Sequence, residues 1–181
     1  MFDGIFNFFQ QSNISSQYDK NLVLCLLQFD MGQRMPQIEN IPKLKRLSLV
    51  GNYIYRIEES FTFSAGFGQL AFLEIHEFVS SLYTIKTNLL SQLRNLLELT
   101  IKKADMSVVE PRAFASLTKL ETLNMSSNNI EQITQDVFAG LKSLKVLILE
   151  LNKINYIEDG SFRDLSNLFE IDLNHNYVKK I

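Results

Sequence analysis

A chain of 181 residues with 46% hydrophobic content fits one domain with a continuous core. Its formal charge of −2 and pI of about 5.7 argue against a dedicated nucleic-acid binder and against a polybasic membrane-surface module. One cysteine, Cys25, excludes an internal disulfide, and with two histidines no metal cluster and no cofactor site is expected.

Residues 1–21 mix aromatic and polar side chains without a clear period and are read as an N-terminal tail or cap. Residues 1–9 contain an early acid, Asp3, and no basic n-region, so they make a poor signal peptide. That leaves either a cytosolic protein or a chain that has lost its beginning. The longest apolar run, residues 22–27, is six residues long, against the roughly 20 that a spanning helix needs, so no membrane span is expected. Residues 22–43 are read as a degenerate first repeat with Val23, Cys25, Ile38 and Ile41 at its apolar positions. Within that run Cys25 is expected to be a buried, inert thiol.

From residue 44 to residue 181 the chain repeats, and the last copy is incomplete. Leu44-x-x-Leu47-x-Leu49-x-x-Asn52-x-Ile54-x-x-Ile57 opens the first copy, and Leu70-x-x-Leu73-x-Ile75 the second. The third is Leu96-x-x-Leu99-x-Ile101, with Phe114 and Leu117 further on. The fourth runs Leu120-x-x-Leu123-x-Met125-x-x-Asn128-x-Ile130-x-x-Ile133, then Phe138 and Leu141; the fifth repeats this from Leu144 through Asn152 to Phe162 and Leu165. A sixth opens at Leu168, carries Asn176 and stops at Ile181. The interval is 26 residues between the first three starts and 24 thereafter, and the two extra residues are expected on the loop side.

In each copy the last two apolar residues of L-x-x-L-x-L alternate with polar ones, the spacing of a strand with one buried face. No copy is long enough to bury its own apolar set, so successive copies must stack and their strands form a parallel sheet. Phe114, Phe138 and Phe162 are expected to form a column inside the coil. At the strand exit, backbone groups leave the sheet and still need partners. Asn52, Asn128, Asn152 and Asn176 offer donors and an acceptor together at that point; Phe78 and Ala104 replace the amide in two copies. A bundle of amphipathic helices fits worse, because the i+4 partners of Leu117, Leu120 and Leu123 are Glu121, Asn124 and Ser127.

These residues closely resemble the leucine-rich-repeat family, in the 24-residue form of its extracellular members such as Toll-like receptors, Slit-type guidance proteins and small proteoglycans. The resemblance implies an α/β repeat solenoid: a horseshoe with a concave parallel β-sheet of short strands and irregular or short-helical convex segments. It also implies ligand recognition rather than catalysis. The disulfide-bonded caps usual in extracellular members are absent, which points to a fragment of a longer protein.

The positions between the buried leucines face the concave side. Four of them are apolar on neighbouring strands: Val146, Ile148, Leu151 and Phe169, with Glu150, Glu170 and Asp172 around them. They are read either as a binding hot spot with a polar rim or as scattered surface apolars. A third reading has the N-terminal tail, or sequence missing from this chain, covering them. Lys102 and Lys103 form a solvated basic spot. Asn13-Ile14-Ser15 and Asn124-Met125-Ser126 match the glycosylation pattern and are read as chance matches; a glycan on Asn124 would obstruct the concave face.

Enzyme motifs do not survive inspection. His76-Glu77-Phe78-Val79-Ser80 begins like a zinc-protease helix but has Ser80 where the second histidine belongs. Gly66-Phe67-Gly68 is too short to cradle a phosphate. The expected function is a non-catalytic, protein-binding module of an extracellular receptor, adhesion or secreted protein, with a glycan or glycoprotein as the other ligand class. An intracellular, cytoplasmic scaffold or adaptor is the alternative, motivated by the free cysteine and the missing signal.

Overall fold

The computed structural model describes residues 23–27, 44–50, 63, 65–76 and 83–179. In chain order the strands are β1 (Val23–Leu27), β2 (Arg46–Val50), β3 (Phe72–His76), β4 (Thr84–Ile85), β5 (Glu98–Lys102) and β6 (Val108–Val109). They continue with β7 (Thr122–Asn124), β8 (Gln132–Ile133), β9 (Val146–Ile148), β10 (Tyr156–Ile157) and β11 (Glu170–Asp172). The only helical element among the described residues is a 3-10 turn, Ala65–Phe67.

Seven strands form one parallel sheet in the order β1-β2-β3-β5-β7-β9-β11. Its register follows the repeat: Leu47 lies opposite Leu73, Leu73 opposite Leu99, then Leu123, Leu147 and Ile171. The sheet therefore carries a continuous row of inward leucines, and those from Leu47 to Leu147 are buried. Ile171 closes the row at the free side of β11, where it has a strand on one side only, and 41% of it is exposed. Each sheet strand from β3 onward is preceded by a tight turn in which an N–H donates three residues back, as from Leu96 to Leu93, Leu120 to Leu117 and Leu144 to Leu141.

The first sheet strand departs from the expected alignment. β1 pairs so that Leu24 lies opposite Leu47 and Leu26 opposite Leu49, whereas Val23 and Cys25 align with Arg46 and Ser48. In register, the positions equivalent to Leu47 and Leu49 are thus Leu24 and Leu26, one residue away from the expected Val23 and Cys25. The cause is the uninterrupted apolar run of residues 22–27, which has no polar alternation to fix a register from sequence. Residues 1–21, Ile38, Ile41, Asn52 and Phe78 lie outside the described residues.

Beyond the sheet, two parallel pairs, β4 with β6 and β8 with β10, line the next flank of the coil. Register locates the two extra residues of the second copy. The offset between copies is 26 at His76↔Lys102 but 24 at Thr84↔Val108, so the insertion falls within residues 77–83, just after the strand. Phe114 and Phe138 are fully buried, and the Phe138 and Phe162 rings stack with centroids 5.8 Å apart and planes 14° from parallel. A second aromatic contact, Phe63 edge-on to Phe67 at 5.5 Å, fills the coil nearer β2.

Candidate ligand-binding face

The exits of the strands make the face rigid. Asn128, Asn152 and Asn176 stand one repeat apart, and each amide bonds both its own turn and the preceding one. The Asn128 Nδ2 donates to the carbonyls of Ile101, Met125 and Ser126 at 2.8, 3.0 and 3.2 Å. Asn152 repeats this with Met125 and Leu149, and Asn176 with Leu149 and Leu173, all at 2.9–3.0 Å. Their Oδ1 atoms accept from the N–H of Met106, Ile130 and Ile154 respectively. Where the amide is missing, Asn128 compensates: its Oδ1 also accepts from the Ala104 N–H at 3.0 Å. That turn carries an additional left-handed residue, Asp105, at φ 53°.

The residue before each amide, or before Ala104 in its place, is left-handed in every described turn: Lys103, Ser127, Leu151 and His175, at φ 46–57°. Reversal of the chain at this point turns the backbone out of the sheet, and it explains the placement of Leu151. Leu151 follows the end of β9 in the turn, half exposed, and is not a member of the strand's outward row.

The concave face is a set of aligned columns. One runs Arg46, Phe72, Glu98, Thr122, Val146, Glu170, and the next runs Ser48, Glu74, Thr100, Asn124, Ile148, Asp172. Strands lie about 4.8 Å apart, so neighbours in a column stand within side-chain reach of one another. Val146 and Ile148 sit on one strand at alternate positions, both partly exposed, with Glu170 and Asp172 directly beside them on β11. Phe169 precedes β11 and is 73% exposed; its N–H bonds the Lys145 carbonyl, so it lies level with Lys145. The structure therefore brings Val146, Ile148, Glu170 and Asp172 together, with Phe169 at the strand entrance and Glu150 and Leu151 past the strand exit. Between the Lys145 level and Leu151 the chain advances six residues, up to about 20 Å if extended. The four apolar residues are thus spread along the strand direction.

Two further groups were not singled out by the sequence. At β2 and β3 the outward side chains pair with one another: the Arg46 guanidinium stands 4.0 Å over the Phe72 ring, and Glu74 receives Ser48 Oγ at 3.1 Å and His76 Nε2 at 3.0 Å. Only register, not spacing within one copy, reveals these contacts. On the flank, Tyr83, Val108, Tyr156 and Tyr177 are each at least half exposed. Asn124 Oδ1 accepts from the Ser126 N–H at 3.0 Å, and Ser126 is buried. Lys102 and Lys103 lie at the outer end of β5, Lys103 in the turn. Among the described residues no three of His, Cys, Asp and Glu gather in a way that would hold a metal ion, and no helix is long and apolar enough to cross a membrane.

Comparison with known proteins bears on the architecture. Residues 80–130 and 126–178 match the family model described as leucine rich repeat. Among solved structures the chain is similar to the Toll–Spatzle complex of Drosophila, at 22% identity and a TM-score of 0.67, over 85% of this chain and 20% of that one. It is similar to the glycosylated form of that complex at 20% identity and a TM-score of 0.66, with the same coverage. The chain thus spans about a fifth of the length of those structures. No curated protein matches it.

Proposed function

Because the chain belongs to the leucine-rich-repeat family, we propose that it is a non-catalytic recognition module that holds a protein ligand on its concave sheet, at the cell surface or outside the cell. The observation that carries this reading is the column arrangement: adjacent parallel strands present their outward side chains at fixed spacing on a backbone tied by the sheet ladder and, at the strand exits, by the asparagine amides. Such a face loses little conformational freedom when it binds. It also places Val146 and Ile148, two partly exposed apolar side chains, where a surface strand would ordinarily carry polar ones. The likeness in fold to Toll, solved in complex with Spatzle, favours a protein as the ligand class. The 24-residue form with asparagine and phenylalanine favours the extracellular setting over a cytoplasmic adaptor.

Site-specific photo-crosslinking tests the face. A benzoylphenylalanine in place of Thr122 or Val146 is expected to give covalent adducts with the ligand in cells that make the native protein, and the same group in place of Gln132 on the flank is expected to give none. Equal labelling from face and flank, or from the flank alone, rules the concave surface out. The setting is tested separately: a membrane-impermeant biotin reagent should label the protein on intact cells, and labelling only after permeabilisation would favour the adaptor.

A further inference from the structure

We propose that the part of the concave face built by β9 and β11 accepts a basic polypeptide segment, one that sets lysine or arginine side chains beside an apolar one. The inference rests on the concave face being the binding surface and adds the chemistry of what binds there. Its first support is the juxtaposition on the sheet: Val146 pairs with Glu170 and Ile148 with Asp172, so each partly exposed apolar side chain has a carboxylate at the same level on the next strand. Glu150 adds a third carboxylate just beyond β9, and Phe169, largely exposed, adds a third apolar group at the entrance of β11.

The second support is charge. Four acids elsewhere among the described residues have a cationic partner: Glu121 holds Lys145 at 2.8 Å, Asp136 holds Arg163 at 2.7 Å and Arg112 at 3.5 Å, Glu74 holds His76, and Asp164 lies 3.9 Å from Arg163, whereas acids such as Glu98, Glu131 and Asp159 stand singly. Glu150, Glu170 and Asp172 have no cationic side chain within bridging distance among the described residues. Lys145, just before β9 and level with Phe169, is committed to Glu121. Asp172 uses one oxygen to accept from the Asn174 N–H at 2.9 Å, which fixes its direction and leaves its charge uncompensated. A ligand that covers Val146 and Ile148 must bring its own groups against these carboxylates. Cationic side chains gain there, and acidic ones or nucleic-acid phosphates are repelled. The spacing of about 5 Å between the apolar residues of β9 and the acidic ones of β11 matches side chains carried by one polypeptide.

The experiment uses the full chain and fluorescein-labelled synthetic peptides read by fluorescence anisotropy. A peptide alternating lysine and leucine is expected to bind, and its counterpart alternating glutamate and leucine is not. Glu170→Gln combined with Asp172→Asn keeps size and the bond from Asn174 while removing charge, and is expected to weaken the lysine peptide about tenfold and flatten its salt dependence. Ile148→Ser is expected to weaken it by a similar factor. The charge-changing control Glu131→Gln with Asp159→Asn, on exposed positions of the flank, should leave affinity unchanged. Several results would overturn the inference: no binding of the lysine peptide, equal binding of the glutamate peptide, or equal weakening by the flank control. A face already covered by a second copy or by this chain's own N-terminal segment gives the first of these, and crosslinks from Val146 within or between chains would identify the cover. Crosslinking from the face to an acidic ligand would sink this inference alone and leave the recognition reading intact.

Discussion

The two ends of the concave sheet use the same backbone positions in opposite ways. On β2 and β3 the outward side chains close on themselves, with Arg46 over Phe72 and Glu74 between Ser48 and His76. On β9 and β11 the equivalent positions hold Val146, Ile148, Glu170 and Asp172, and the carboxylates there form no ion pair with a described residue. Strand geometry is common to both ends, so the difference lies entirely in side-chain chemistry. A solenoid can therefore vary its binding chemistry along its length at little structural cost, because the residues that hold the coil and those that face outward are different sets.

The strongest way to test that separation is to break the framework between the two ends. Asn128→Ala removes the amide that bonds Ile101, Met125 and Ser126 and accepts from Ala104 and Met106. It leaves buried donors and acceptors without partners, and a loss of about 3 kcal/mol or more is expected. Chemical denaturation of the full chain measures it, and the transition midpoint should fall for signals from both ends. A loss under about 1 kcal/mol would mean that water replaces the amide and that the ladder is not what makes the face rigid.

A smaller and more discriminating pair contrasts the two ends directly. Glu74→Ala deprives the nearly buried Ser48 of its acceptor and releases His76, so a loss of about 1 kcal/mol is expected, most of it from the serine, since the partly exposed histidine contact is worth little. Glu170→Ala removes a carboxylate that bonds nothing described, and stability should stay within about 0.5 kcal/mol. Ligand capture should respond in the reverse order. If Glu170→Ala destabilises as much as Glu74→Ala, the acid has a structural partner and the contrast between the ends is wrong.

Much of this was legible in the sequence, and the exceptions have physical causes. The buried leucines, the asparagine exits and the phenylalanine column are each repeated at a fixed interval, and repetition is a signal that a single chain can carry. What repetition cannot carry is partnership between copies: Arg46 and Phe72 are 26 residues apart, and only the strand register makes them neighbours. The run at residues 22–27 failed for the opposite reason, since six apolar residues in a row contain no alternation from which to choose Leu24 and Leu26 over Val23 and Cys25. Leu151 looked like an outward strand residue because the end of a strand and the start of a left-handed turn have no distinct spacing; its φ of 56° sets it apart.

That distinction yields the smallest expected effect and the sharpest boundary for the face. At a left-handed position a β-carbon crowds the backbone, so glycine there outperforms alanine, whereas on an extended strand glycine's extra freedom in the unfolded chain makes it the worse choice. Leu151→Gly should therefore be more stable than Leu151→Ala by about 0.5–1 kcal/mol, while Val146→Gly should be less stable than Val146→Ala by a similar margin. Comparing within each site cancels the loss of the original side chain, which both replacements share. Thermal or urea melts of the four variants resolve the order. If alanine is the better residue at both sites, Leu151 belongs to the extended row after all, and the apolar part of the face reaches past the end of β9 to include it.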